Sequence, residues 1–249
     1  MKATSEGQGM EKKREKHGNG ITEGVIWQQL LIFFFPILFG TFFQQLYNTV
    51  DAIIVGRFVG KEALAAVGGS TGTLINLLVG FFVGLASGAT VIISQFYGGG
   101  REKRVSEAVH TSIAFSLACG VGLMVIGLIC SPMALRAMGT PEDVMDYSLV
   151  YIRIYFIGII PNLIYNMGSG ILRAIGDSKR PLYYLIVSCF VNIVLDLVLV
   201  VWLKMDVRGA ALATILSQLV SAVLIVVRLM RNNDSYKLIL KRYGLMVLW

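Results

Sequence analysis

Of the ionisable side chains inside long apolar runs, three stand out by their distance from the run ends: Asp51, Arg153 and Asp196. At membrane depth such a group costs about 2.5–3.5 kcal/mol on insertion scales, so each needs a reason to be there. Asp51 precedes the end of its run at Phe58 by seven residues, and Asp196 precedes the end of its own at Leu203 by seven. If both runs end on the same side, the two carboxylates lie about 10 Å below one surface. Thr214, five residues into the last run, falls in nearly the same layer, at about 8 Å. Asn192 shares a helix face with Asp196 through its i,i+4 spacing. Two carboxylates, an amide oxygen and a hydroxyl make a donor set that suits a hard cation. Carboxylates brought together in a low dielectric also titrate in separate steps, so the same pair can hold a proton. Spacing alone leaves another arrangement open, in which each aspartate reaches the outer interface separately or pairs with Arg153. Arg153, six residues into its run, can itself snorkel outward or neutralise one aspartate.

The elements that must position these groups follow from composition. Of 249 residues, 55% are hydrophobic and 15% charged, with a mean hydropathy of +0.70. A soluble domain carries roughly 25% charged residues, so too few are present for a polar shell, and the composition is that of an integral membrane protein. Six apolar segments are expected to span: Val25–Phe58, Ala63–Phe96, Val105–Leu135, Tyr147–Leu172, Pro181–Leu203 and Gly209–Val227. Each meets the roughly 17–25 residues a helix needs to cross hydrocarbon, and none alternates as a barrel strand would. The fold class is therefore all-α, a polytopic membrane protein with six transmembrane helices.

Residues 63–100 carry no charge and are long for one helix but short for two. Counted as one, they leave 16 of the 22 Lys and Arg on the N-terminal side of the membrane, which the positive-inside rule makes cytoplasmic. Both termini are then cytoplasmic: a polar tail over 1–24, the lobe over 25–231 and a basic segment over 232–249. The net charge of +7 is a topology signal of this kind and not a nucleic-acid footprint. Pro36 and Pro161 are expected to kink the first and fourth helices. Gly80, Gly84 and Gly88 form a small-xxx-small face suited to packing within the bundle. His110 opens the third helix near the inner surface, and Cys119, Cys130 and Cys189 fit neither metal nor disulfide spacing.

Paired intramembrane aspartates also serve aspartyl proteases, whose signature includes Gly-x-Gly-Asp. The nearest stretch, Ala174-Ile175-Gly176-Asp177, lacks the first glycine and lies in a basic loop. No Ser/His pair, zinc spacing or phosphate-cradling glycine loop is present, and no cofactor is expected.

Asn48-Thr49-Val50-Asp51-Ala52-Ile53-Ile54-Val55-Gly56 resembles the first helix of the multidrug and toxic compound extrusion (MATE) family. Leu172-Arg173-Ala174-Ile175-Gly176-Asp177-Ser178-Lys179-Arg180-Pro181 is similar to that family's Leu-Arg-Gly-x-Gly-Asp-Thr-Lys-x-Pro loop. The following helix with Asn192 and Asp196, and Ser94-Gln95-Phe96-Tyr97-Gly98, complete the likeness over roughly residues 30–230. The resemblance implies an antiporter in the cell (inner) membrane that exports organic cations or drugs against Na+ or protons. It implies a cation site at Asp51, Asn192 and Asp196, with Thr214 and Asn166 as further ligands and Tyr151 and Gln44 lining the adjoining cavity. In a straight fourth helix Asn166 would lie about 28 Å below the outer end, so its place in that site requires a break near Pro161.

The family has twelve helices in two lobes, and these residues match the N-terminal lobe only. The last residues, Tyr243–Trp249, fall where the link between lobes would begin, so the chain is expected to be a piece of a longer protein. Its partners would be the lipid bilayer, the drug, and either the missing C-terminal lobe or a second copy in a parallel homodimer. Two other outcomes stand beside this: a lipid or lipid-linked-glycan flippase of the same superfamily, and a lobe that does not transport. A flippase usually lines its cavity with several basic residues, whereas Arg153 is the only one within a span.

Overall fold

The computed structural model describes residues 26–231 and 236–238. The polar tail and most of the basic C-terminal segment expected from the sequence lie outside these residues. The described residues are helical nearly throughout, and no strand occurs among them. In chain order the helices are α1 (Ile26–Phe58), α2 (Lys61–Gly68), α3 (Ser70–Gly98), α4 (Glu102–Ala137), α5 (Glu142–Ile157), α6 (Ile159–Ala174), α7 (Lys179–Asp196) and α8 (Asp206–Arg231). A π-helical turn over Leu197–Trp202 extends α7.

Five stretches are long and apolar enough to cross a membrane, and the bent pair α5–α6 makes a sixth. The uncharged region that was ambiguous by length is one stretch of 38 residues, Lys61–Gly98, interrupted at Gly69. A Cβ at Gly69 would fall 2.5 Å from the Ala65 carbonyl oxygen, so only glycine fits this close turn.

The fourth span is not a single helix. It breaks at Gly158, where α5 and α6 meet at 52°. Pro161 sits in the first turn of α6 and has no N–H to offer the Ile157 carbonyl, so the break falls just upstream of it. A side chain at Gly158 would collide with Ile215, and the missing Cβ is what lets the bend press against α8. Pro36 lies within α1, which runs on as a helix on both sides of it.

α8 is the central element, packed against α5, α6 and α7, while α1 lies along α7 and α3 and α4 lie along α6. Two apolar clusters are stacked along the bundle. One joins Ile54, Val55, Ile152, Phe156, Val200 and Ala211; the other joins Ile93, Val109, Ile171, Leu172, Ile225 and Leu229. Between Ala211 and Ile225, the buried face of α8 carries Thr214, Ser217 and Ser221 together with the small Ala213 and Ala222, and no larger aliphatic residue. The lobe therefore has a polar layer between two dry ones.

One packing expectation needs correction. Gly80, Gly84 and Gly88 do not pack inside the bundle: all three are exposed, and a Cβ on any of them would meet nothing within 4 Å. Their face is the outer face of α3. Periodicity identifies a close-packing stripe but not which neighbour it is aimed at.

Candidate functional site: two facing carboxyls

Asp51 lies two turns before the end of α1, and Asp196 is the last residue of α7, where regular helix gives way to the π turn. In that turn the Leu203 N–H reaches back five residues to the Val198 carbonyl, 2.8 Å away. Such wide turns often sit beside functional groups, because they re-aim the residues next to them. Since α1 packs on α7, the two aspartates point at each other and their carboxyls come within hydrogen-bonding reach.

The pair is nearly dry. Asp51 is 6% exposed, Asn192 and Asp196 are fully buried, and Thr214 is 3% exposed. Asp51 Oδ1, both Asp196 oxygens and both the oxygen and the nitrogen of the Asn192 amide have no hydrogen-bond partner in the protein. Ionised carboxylates only accept hydrogen bonds, so two of them face to face cannot satisfy one another. Buried acceptors of this kind are costly unless something positive joins them. A cation coordinated by the oxygens, or a proton shared between the carboxyls, would remove that cost. The donor set therefore fits the hard cation expected from the residue types. Among the described residues no three His, Cys, Asp or Glu converge, so the additional ligands available are neutral oxygens.

Thr214 donates to the Ala210 carbonyl at 3.0 Å, which leaves its lone pairs directed at the site. Around it stand three tyrosines that bound the pair. Tyr47 and Tyr151 lie close to Thr214 and to Asp51. Tyr155 stacks against Tyr151, with ring centroids 6.5 Å apart, and reaches Gln218. Tyr151 was expected as a cavity residue, whereas Tyr47, Tyr155 and Gln218 were not anticipated. Each stands one turn from a residue that was: Tyr47 before Asp51, Tyr155 after Tyr151, Gln218 after Thr214.

Asn166 and Gln44 are placed differently. They line a small cavity of about 30 Å³, with Tyr47, Asn162, Ser188 and Ser217, enough for about one water. The Asn166 amide donates to the backbone and side-chain oxygens of Asn162, both at 2.9 Å, and not to either aspartate. Even with the bend, Asn166 belongs to the layer adjoining the carboxyls.

Arg153 is exposed on α5. The ion pairs among the described residues are Lys61–Glu62 and Asp177–Arg180, so Arg153 neutralises neither aspartate. His110 is buried in α4, with Nδ1 2.7 Å from the Ser106 carbonyl of its own helix. The three cysteines are free thiols, Cys189 buried and the others half-buried.

Comparison with known proteins places this geometry in context. A sequence model of the MatE family matches residues 36–198. The protein named probable multidrug resistance protein YoeA of Bacillus subtilis is 37% identical over 212 residues, 84% of this chain and 46% of YoeA. YpnP of the same organism, also named a probable multidrug resistance protein, is 32% identical over 197 residues, 79% of this chain and 44% of its own. Among solved structures, MATE in the straight conformation superimposes with a TM-score of 0.77 at 29% identity, covering 85% of this chain and 47% of that one. An outward-facing multidrug resistance MATE transporter of the MOP superfamily gives 0.76 at 30% identity, over 84% and 46%. The chain thus spans a little under half the length of the curated relatives it matches.

Proposed function

Because this chain belongs to the MatE family, whose members are membrane transporters and not enzymes, we propose that it is one lobe of a cation-coupled antiporter for organic cations. Na+ or a proton binds between Asp51 and Asp196, with the Asn192 and Thr214 oxygens completing the shell, and its exchange drives export of the drug. The observation that carries this reading is the meeting of two buried carboxyls, three of whose four oxygens have no hydrogen-bond partner. Neutralising that pair frees α1 and α7 to shift against each other, since the unpaired charges no longer oppose close packing. Tyr47 and Tyr151 are the residues through which such a shift would reach an adjoining drug cavity. Asn166 and Gln44, one layer away, would act through the small cavity they share with Tyr47.

The reading also supposes a second six-helix lobe, in the continuation of a longer chain or in a second copy. The exposed stripe Gly80, Gly84 and Gly88 supports this, because a close-packing face on α3 has no partner inside the lobe. With both ends of the lobe on the cytoplasmic side of the cell membrane, the basic 173–180 loop would face inward.

In cells whose drug resistance depends on a transporter containing this lobe, Asp51→Asn and Asp196→Asn are each expected to remove resistance at unchanged membrane levels. Undiminished resistance in both variants would reject the assignment.

A further inference from the structure

At the other end of the same helices lies a cavity of opposite character. About 100 Å³ in volume, it is bounded by the N-terminal half of α1, the C-terminal half of α6 and the start of α7. That is the volume of roughly three waters, the scale of a single tetrahedral oxyanion. Its lining contains Arg173, Ser169, Ser178, Thr41, Asn166 and Gln44, and no Asp or Glu.

Arg173 is half-buried and has no carboxylate partner, since the ion pairs among the described residues are Lys61–Glu62 and Asp177–Arg180. The acid closest in sequence, Asp177, is taken up by Arg180, accepting from both its backbone N–H and its guanidinium. Ser169 is 2% exposed and its Oγ has no hydrogen-bond partner. The neighbouring Tyr165 hydroxyl directs its own proton to the Pro181 carbonyl at 3.1 Å. Ser178, 7% exposed, occupies the N-cap position of the 18-residue α7 without a side-chain capping bond, and Asp177, accepting from the Arg180 N–H, offsets the helix dipole there. A fixed cation and two buried serine hydroxyls, one of them unpartnered, thus face one volume whose lining holds no Asp or Glu. Arg173 also stands in the last turn of α6 and offsets its dipole, but that role accounts for neither Ser169 nor the absence of acid.

We propose that this cavity is an oxyanion site that binds a phosphate group, with the Arg173 guanidinium as its principal ligand and the Ser169 and Ser178 hydroxyls as supporting donors. The phosphate is that of a lipid headgroup or a free phosphate ion, because both present the same tetrahedral oxygens. Nothing in this assignment depends on the coupling reading.

The test is the melting temperature of the purified 249-residue chain in detergent. Four additions are compared: dioctanoyl phosphatidylglycerol, dioctanoylglycerol without phosphate, inorganic phosphate, and chloride at matched ionic strength. A phosphate-bearing ligand is expected to raise the midpoint by roughly 3–8 °C over its phosphate-free control at saturation. A shift with phosphatidylglycerol alone assigns the site to a lipid headgroup, and a shift with inorganic phosphate as well assigns it to the free ion. Arg173→Gln should remove at least half of the shift, Arg173→Lys should keep most of it, and Arg208→Gln, at an exposed position at the start of α8, should leave it unchanged. If Arg173→Gln does not fold, Gly40→Leu serves instead. A Cβ there makes ordinary contacts with Leu185 and Leu182, at 3.8 and 4.0 Å, so the larger side chain narrows the cavity and should weaken the shift. No shift over either control, or a shift that survives both Arg173→Gln and Gly40→Leu, overturns the proposal.

Discussion

The two ends of α7 stand in opposite chemical surroundings, one beside Asp51 of α1 and the other beside Arg173 and Ser169 of α6. Near the end of α7, Asp51 and Asp196 bring together acceptors without a donor. At its start, Arg173 and Ser169 bring together donors without an acid. Burial explains why neither end is neutralised from within: Arg153, the one basic residue in the middle of a span, is turned outward, and Asp177 is taken by Arg180. A membrane protein that leaves unlike charges unpaired beside opposite ends of one helix has kept each available for something that arrives from outside. The acidic end then fits a cation and the basic end an oxyanion.

The sharpest way to break this comparison is to remove one end and measure both. Asp196→Asn is expected to weaken cation binding by about 2 kcal/mol or more, roughly thirtyfold, because the remaining donors lose half of their negative charge. The phosphate-induced shift in melting temperature should be untouched. If both ligands weaken together, the two ends are not independent. Next in size is the bend between them. Gly158→Val would force a side chain into Ile215 and is expected to cost about 1–3 kcal/mol of stability, read as a lower melting temperature. A neutral substitution there would mean that α8 can give way. Asn192→Ala removes one neutral oxygen and should weaken cation binding by about fivefold, near 1 kcal/mol, in an isothermal titration. The smallest effect is expected for Arg153→Gln, within a factor of about two for cation binding, since an exposed charge this far from a partner contributes little. A large loss would return Arg153 to the site.

Much of this was legible in residue types and counting. The apolar runs fall on the observed spans, because a bilayer-spanning helix has a length set by the hydrocarbon and a side chain set by its solvent. Counting back seven residues from Phe58 and from Leu203 put Asp51 and Asp196 at one depth, and the carboxyls do meet. Depth is a one-dimensional quantity, and the chain carries it openly. What stayed hidden is azimuthal or local. The stripe Gly80, Gly84 and Gly88 announces a tight contact, but its direction depends on how α3 is rotated by Ile75, Ala86 and Ile93 packing inward. The bend falls at Gly158 and not at Pro161, because the proline's missing N–H leaves the carbonyl of Ile157 unpaired and a nearby glycine absorbs the turn. Asn166 then lands on Asn162, a contact between neighbours on one helix that competes with any reach toward the carboxyls. Tyr47 and Tyr155 look like ordinary aromatic residues of an apolar helix until the residue one turn away is known to be in the site.

The most direct test of the central claim is to measure Na+ binding by the purified chain at two pH values, with Asp51→Asn and Asp196→Asn alongside. Protonating the carboxyls removes the oxygens that Na+ needs, so its affinity in the unaltered protein should fall as pH is lowered, or proton uptake should replace it. Both responses should vanish in either variant. Cation binding or proton uptake that persists unchanged in both would contradict the account.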